Sequence, residues 1–598
     1  MTTTQNGEDK LIAVARHIAQ TLGHTDNTMT DDILQIFSNF DNRLREKLTQ
    51  NISLNNNNGS LDRTLKNLDR RISSYLVGDD PIWTDHDDAV AFLDAVDELI
   101  EVIQEWSDVT DEKVTSCLDR AEELLRKCCC KLEDEFRGLV DRVDFSRGVD
   151  FFGDEENEEE DELDVPVAHP VTDFDITIDA IPASMVRDLS EIAKRMIAAG
   201  YGKECSAVYS VFRRGFLEES LSRLGFLGLR DNDNDNDVEI EKWINAINIA
   251  VKVFYPSERR ICDRVFGSGS GSGAVTNMCF MDLCRVSVMD LLNFANGIAM
   301  GSRTPERLFK ILDVYEVVKE LLPEFEVLFS DDYSLFLRNE AVSVWKRLGE
   351  SIRGIFVELE NLIRRDPVKA AVPGGGLHPI TRYVMNYLRA ACSRPTLEHV
   401  FEDNVDQSLA SSIAWIMEVL ESNLESKSKV YRDPALASVF MMNNGRYIVK
   451  KVKGDVLGTV LGDDWIRKQK SKVRQYHTNY QRSSWHKLLN TLKLDNNLAS
   501  NVASKSLKDK LKVFNSQFDE ICRTQSTWAI FDEQLRDELK ISVAGTLLPA
   551  YRNFLGRFHN IQDIGKYADK HVKFSIEDVE ARIDDLFQAT AVSGSSRR

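Results

Sequence analysis

Two clusters in this 598-residue chain have the side chains that do chemistry: carboxylates and amides alternating over Asp231–Asp237 (DNDNDND), and twelve cations between Arg446 and Lys493. The first offers the early oxygen ligands of a calcium loop. Asn236 stands where the sharp turn needs glycine and Lys242 where a bidentate Glu should close the shell, so calcium is not expected. Magnesium-diphosphate chemistry needs DDxxD, which sets carboxylates on one helix face. Gln35, Trp83, Ala91, Leu335, Arg467 and Gln588 occupy the last position after each Asp pair. There is no GxxxxGK[ST], HExxH, GxSxG or kinase set. His378 and His399, near Arg382 and Glu402, fit ordinary core or surface histidines. Gly267–Gly273 (GSGSGSG) has no Lys or Arg after it and reads as a flexible loop, and Pro373–Gly376 (PGGG) reads the same way. The expectation is no catalytic residue, no metal and no cofactor.

The cations are the more informative cluster. Residues 441–598 carry 27 Lys and Arg against 18 Asp and Glu, a surplus of nine in a chain of net charge -22, so residues 1–440 hold -31. One end is a cation, with Lys450, Lys451, Lys468 and Lys472 at its densest part. Such charges can be solvated helix faces, a nucleic-acid platform or a contact for an anionic membrane. Tyr447, Trp465, Tyr476, Tyr480 and Trp485 are interleaved as stacking would need, but they recur beside apolar residues as core residues do, and the acidic remainder repels a polyanion. No nucleic acid is expected. A membrane surface suits a dipolar molecule, because each adjacent Lys or Arg contributes on the order of 1 kcal/mol there. Near the end, Ser575 with Asp578 three residues on predicts a capped helix start, with Ile576, Val579, Ile583 and Leu586 as its buried stripe. Lys566, Lys570 and Lys573 lie just before that helix N-terminus, where the dipole disfavours cations and favours a bound anion such as a lipid phosphate.

The elements that must position these groups read as helices. With 42% hydrophobic residues and only 13 prolines and 31 glycines, the composition fits an all-α chain of several units. Leu11, Val14, Ile18 and Leu22 form a short amphipathic run. Ile33, Phe37, Phe40 and Leu44, then Leu61, Leu65, Leu68 and Ile72, step by fours and threes as coiled-coil seams do. Those seams suit either an assembly coil or an ordinary bundle helix of this chain. Further stripes run through Phe92, Val96, Leu99, Ile103 and Trp106, and through Leu118, Leu124, Leu125, Leu132 and Leu139. Cys128, Cys129 and Cys130 lie on the second, where three successive positions cannot all face one core, so at least one thiol is expected to be exposed; acylation there is the lesser reading beside a structural cluster. Residues 154–164 (DEENEEEDELD) predict an acidic disordered loop. Pro256, Pro305, Pro395 and Pro434 read as helix boundaries. The ten cysteines lack CxxC pairs, and no secretory signal, membrane span, myristoylation glycine or prenylation box is expected, which suits a cytoplasmic protein with reduced thiols.

Longer strings carry a family likeness. HPITRYVMNYL (His378–Leu388), FMMNNGRYIVKKVKG (Phe440–Gly454), LGDDWIRKQKSKVRQY (Leu461–Tyr476), RTQSTWAIFDEQLRDELK (Arg523–Lys540) and LLPAYRNFLGRF (Leu547–Phe558) resemble the plant form of the seventy-kilodalton subunit of the exocyst tethering complex. LIAVARHIAQTLG and DDILQIFSNFD resemble its branch linked to defence and autophagy-related traffic. The resemblance implies an elongated rod of stacked antiparallel helical bundles and an N-terminal coil over residues 1–76 for assembly with other exocyst subunits. Bundles over 81–237, 238–440 and 441–598 would follow, the last facing the membrane. It implies binding of phosphatidylinositol bisphosphate or other anionic lipids at the inner face of the plasma membrane, through a Lys-aromatic-Ile-Lys-aromatic stretch before the last helix. Here that stretch is Lys570, His571, Val572, Lys573 and Phe574, so both lysines match and the first aromatic does not. Vesicles and autophagic membranes are further expected locations. An autophagy ubiquitin-like modifier is a further expected partner, through Trp106-Ser107-Asp108-Val109 or Phe136-Arg137-Gly138-Leu139 docking as an added strand. The competing reading is a soluble helical scaffold in immunity or autophagy that touches membrane little.

Overall fold

The structure is a computed structural model that describes residues 61–77, 81–107, 112–141, 181–226, 237–267, 271–368, 370–402, 408–493, 500–560 and 572–588. The run from Leu11 to Leu44 and the acidic loop 154–164 lie outside these residues. Among them the regular structure is helical throughout, with one isolated bridge between Ala529 and Gln588. The all-α expectation holds. The described residues form two compact units, one made of residues up to 231 with 245–290 and 323–338, the other of 232–244, 291–322 and the chain from 339 on.

In the first unit α1 (61–76) buries Leu61, Leu65, Leu68 and Ile72 within this chain. Its partners are α2 (His86–Trp106) and α3 (Glu112–Asp141): Tyr75 packs on Phe92 at 5.5 Å, Arg71 pairs with Glu98 at 2.7 Å and Asp62 with Arg120 at 3.2 Å. This seam is spent on the chain's own bundle, the ordinary-helix alternative. Asp85 caps α2 by accepting the Asp87 N–H at 2.9 Å, and Asp87 and Asp88 suit the positive end of the helix dipole. Phe92, Val96 and Leu99 are fully buried, while Ile103 and Trp106 are half-buried where the stripe runs out. On α3, Cys128 and Cys129 are buried and Cys130 is exposed, as three adjacent helical positions require. Burial pushes the Cys128 and Cys129 thiols up to about 12. Phe136 and Leu139 are buried in the last two turns of α3. That tetrad cannot add as a strand without unfolding α3, so the expectation of a modifier motif at Phe136 is corrected; Asp108 and Val109 of the other tetrad lie outside the described residues.

α4 (Ala183–Ala198) and α5 (Gly202–Arg223) follow, then α6 (Asp237–Ile249), a π turn over Ala250–Phe254, and α7 (Tyr255–Phe266). Pro256 sits in the first turn of α7, as a boundary should, but the chain does not leave the helix there. The wider π turn before it absorbs the ring and the missing N–H, and the chain stays helical. The core here sets Tyr209 edge-on to Phe266 at 5.4 Å and near Phe136 at 6.4 Å. Beside it Arg213, on Phe216 at 4.3 Å, forms a buried ion pair with Glu258, whose Oε2 accepts from Nε at 3.0 Å. Of the Gly267–Gly273 stretch, Ser272 and Gly273 are already the start of α8 (Ser272–Met300).

In the second unit the succession is α9 (Leu308–Leu328), α10 (Leu335–Arg365), α11 (Pro379–Cys392), α12 (Thr396–Glu402), α13 (Leu409–Ser428), α14 (Pro434–Val452), α15 (Val456–Ser484), α16 (His486–Thr491), α17 (Ser500–Gln525), α18 (Glu533–His559) and α19 (Ile576–Asp584), the first two of which begin or end in the other unit. Pro305 and Pro434 sit in first turns and Pro395 precedes α12, as boundaries should. Gly462, at φ 80°, breaks α15 near its start. The core joins Tyr480, Trp485, Phe514, Phe518, Tyr551, Phe554 and Phe574 with Val579 and Ile583 of α19 and with Leu586 just after it.

Pro373–Gly376 is not the loose loop its composition suggested. Gly374 and Gly375 adopt φ of 64° and 71°, and a Cβ on Gly375 would meet Leu436 Cδ1 at 2.9 Å. Buried Asn443 on α14 donates through Nδ2 to the carbonyls of Gly375 at 2.7 Å and Ala529 at 2.8 Å, and the Ala529 N–H donates to the Gly374 carbonyl at 2.8 Å. Neighbouring Asn444 accepts from the His378 N–H and Thr381 Oγ1 at 3.1 and 2.7 Å. The glycines let the backbone come close enough for these bonds.

Candidate functional site

Lys573 owes its place to the residue after it. Phe574 is buried edge-on against Phe518 at 5.4 Å, and its carbonyl accepts from Tyr551 Oη at 2.9 Å. Ser575 then caps α19: its Oγ accepts the Asp578 N–H at 3.0 Å, and Asp578 accepts the Ser575 N–H at 2.8 Å. This is the capping box the sequence predicts, with Val579, Ile583 and Leu586 buried and Ile576 half-buried. Anchor and cap together fix the backbone on both sides, so Lys573 projects to solvent at a defined point, about half exposed.

Its ammonium is not isolated there. Lys573 pairs with Asp519 on α17, and Arg582 Nη1 on α19 donates to the other oxygen of that carboxylate at 2.5 Å. Both cations also lie on the Phe574 ring, at 4.9 and 5.0 Å from its centroid. The hydrogen bond from Lys573, set against a burial penalty and joined by the Lys573 and Arg582 charges, holds the Asp519 carboxyl below the usual range. The expected presentation of Lys573 to an external anion is therefore qualified by an internal one. Lys566 and Lys570 lie outside the described residues.

The upstream cations are partly matched as well. Lys450 and Lys451 occupy the last turn of α14, where the dipole favours them. Lys450 reaches Asp532 at 3.5 Å, and Lys451 lies over Tyr447 at 5.6 Å. Arg446 donates to Asp532 at 3.3 Å and Gln534 at 2.7 Å. Burial opposes the Asp532 charge, but the Leu535 N–H and the Arg446 and Lys450 charges outweigh it and hold that carboxyl low. Lys468 is exposed on α15. The structure thus brings Lys573 together with Arg582 and Lys450 together with Arg446, while Lys472 is drawn instead to Glu421 of α13.

Two other sequence candidates are structural. His378 caps α11, its Nδ1 accepting the Ile380 N–H at 3.2 Å, and burial pushes its imidazole down. Tyr480 and Trp485 are buried, with the indole N–H donating to the Tyr480 hydroxyl at 3.0 Å, so neither can stack on a base. Arg582 and Asp519 were not anticipated. No local pattern marks a carboxylate 54 positions from its lysine, although Arg582 could have been noticed on the face of α19 that follows the capping box. Among the described residues no group of three or more His, Cys, Asp or Glu could hold a metal, and no helix is long and apolar enough to cross a membrane.

Comparisons with known proteins agree over almost the whole length. Residues 241–585 match the family model for the C-terminal part of the Exo70 exocyst complex subunit, and residues 46–142 match the model for the N-terminal part of exocyst complex component Exo70. The sequence is 55% identical to exocyst complex component EXO70B1 of Arabidopsis thaliana and 47% identical to EXO70B2, each alignment covering 98% of this chain and 99% of the relative. The fold is similar to that of Exo70 from S. cerevisiae, with a TM-score of 0.57 at 13% identity over 88% of this chain and 98% of the yeast one.

Proposed function

The chain belongs to the Exo70 family of exocyst subunits, which serves vesicle tethering in exocytosis, and from that premise we propose that its basic C-terminal end attaches to phosphoinositide at the plasma membrane. The protein acts without catalysis. Its N-terminal segment meets the other exocyst subunits, with Ile33, Phe37, Phe40 and Leu44 as contact residues, since Leu61, Leu65, Leu68 and Ile72 are already covered by this chain. Lys570 and Lys573, with Lys566, are the primary lipid contacts, and Lys450, Lys451, Lys468 and Lys472 add weaker attraction. The protein is cytoplasmic, peripheral on the inner face of the plasma membrane, and also visits vesicles or autophagic membranes. The strings that resemble the defence-linked branch support work in plant defence and autophagy-related transport.

The observation that carries the lipid reading is the surplus of nine positive charges after residue 440, against -31 before it. Several cations acting together give weak, reversible and salt-sensitive attachment. The test is co-sedimentation with vesicles containing phosphatidylinositol bisphosphate, comparing the intact chain with Lys570→Glu plus Lys573→Glu over a salt series. Intact protein should sediment, less as salt rises, and the double variant should stay in solution. Equal sedimentation of both refutes the lysine assignment.

A second reading has an observation in its favour. Lys573 is already paired with Asp519, as suits a soluble scaffold that touches membrane little. Removal of residues 1–60, which leaves α1 in its bundle, separates the two: a tether loses the other exocyst subunits and keeps its lipid binding.

A further inference from the structure

The Lys573–Asp519–Arg582 arrangement has more order than a surface ion pair needs. Each oxygen of one carboxylate takes one cation, Oδ2 from Lys573 and Oδ1 from Arg582 at 2.5 Å, and both cations rest on the same Phe574 ring. Phe574 is buried and its carbonyl tied to Tyr551, so the ring on which both positive groups rest is fixed in place. They border an open groove of about 850 Å³ that also contacts Asn515, Ser516, Glu520, Arg523 and Asp585. Its charged lining is balanced, with Lys573, Arg582 and Arg523 against Asp519, Glu520 and Asp585. With Asp519 in place the groove offers no net attraction to an anion; without that carboxylate it does.

We propose that Asp519 is an internal stand-in for a phosphate group, its carboxylate filling a seat between Lys573 and Arg582 that an external phosphate monoester takes over. The inference rests on the lipid reading above and adds two residues to it: Arg582 as a second contact, and Asp519 as the competitor that sets the threshold for binding. A phosphate monoester matches the seat better than a carboxylate, since it brings nearly two charges and three acceptor oxygens. The resident pair is easily opened, because Lys573 is 53% and Asp519 33% exposed, and exposed pairs hold weakly. Lipid headgroups and soluble inositol phosphates both present this group.

The experiment uses the full chain and two probes, vesicles with and without phosphatidylinositol bisphosphate, and soluble inositol trisphosphate by titration calorimetry. Asp519→Asn should bind about fivefold more tightly and Arg582→Gln about fivefold more weakly, the effect of one nearby charge. Asp519→Glu, which keeps the competing carboxylate, should bind as the natural chain does, and thermal melts of all variants confirm folding. If Asp519→Asn binds vesicles no better while Lys570→Glu plus Lys573→Glu abolishes binding, the lipid reading stands and the competitor role falls. If no variant binds vesicles but Asp519→Asn gains affinity for inositol trisphosphate, the seat stands and the membrane reading falls. Absence of both effects overturns both.

Discussion

Replacing Asn443 with alanine removes one side-chain amide whose Nδ2 donates to two buried carbonyls, those of Gly375 at 2.7 Å and Ala529 at 2.8 Å. A buried acceptor left unpaired costs about 1–3 kcal/mol, so two cost about 2–6 kcal/mol, with about 3 kcal/mol a conservative expectation. For a unit of roughly 300 residues, unfolding entropy near 2.1 cal/mol/K per residue converts that loss into a Tm lower by about 5 °C. The effect should also have a direction along the chain. The Ala529 N–H bonds the Gly374 carbonyl, Ala529 bridges Gln588, and the Phe587 N–H bonds the Gln525 carbonyl at 3.2 Å. The turn at Gly374–Gly376 is thereby joined to the segment that follows α19. Amide hydrogen exchange in Asn443→Ala should show Ala529 losing protection first and Phe587 with it, while the α10 core is unaffected. Asn443→Leu fills the space without the donors and should fare no better. A Tm within about 1 °C of the natural chain, with Ala529 protection unchanged, refutes the view that these two bonds hold the segment.

Two further expectations concern the first unit. Arg213→Met or Glu258→Gln alone should destabilise by about 3–5 kcal/mol, because each leaves a buried partner uncompensated, whereas Arg213→Met with Glu258→Leu should recover most of that loss in urea unfolding. Maleimide at neutral pH should label Cys130 quickly and Cys128 and Cys129 only on unfolding, since burial pushes the latter two up to about 12; equal labelling of all three in the folded chain refutes the assignment of faces.

The helical class, the stripes on α2 and α3 and the capping box at Ser575 could all be read in the sequence, because each rests on neighbours within a turn or two. What could not be read depends on partners far along the chain. Gly374 and Gly375 look like flexible linker residues until Asn443 and Ala529 are brought against them. Pro256 marks a helix boundary, but nothing local shows that a π turn carries the chain across it without a break. The spacing of Leu61, Leu65, Leu68 and Ile72 suits a partner coil and a resident bundle equally, and only the presence of α2 and α3 selects the second. Lys573 stood out by its place before a helix start, but its pairing with Asp519 spans 54 positions and has no local mark.

The single residue between Lys573 and the cap also has a mechanical meaning. A pull on the Lys573 side chain reaches Phe574 within one peptide unit, and there it meets a ring wedged against Phe518 and a carbonyl held by Tyr551 from α18. Tension at the surface is thus divided at once between packing and a hydrogen bond, which share it side by side before α19 is loaded. To extract this attachment point by force, a ring must leave the core at the same moment that a buried bond breaks. The expected yield point under such a pull is the detachment of Phe574, with unwinding of the last helix after it.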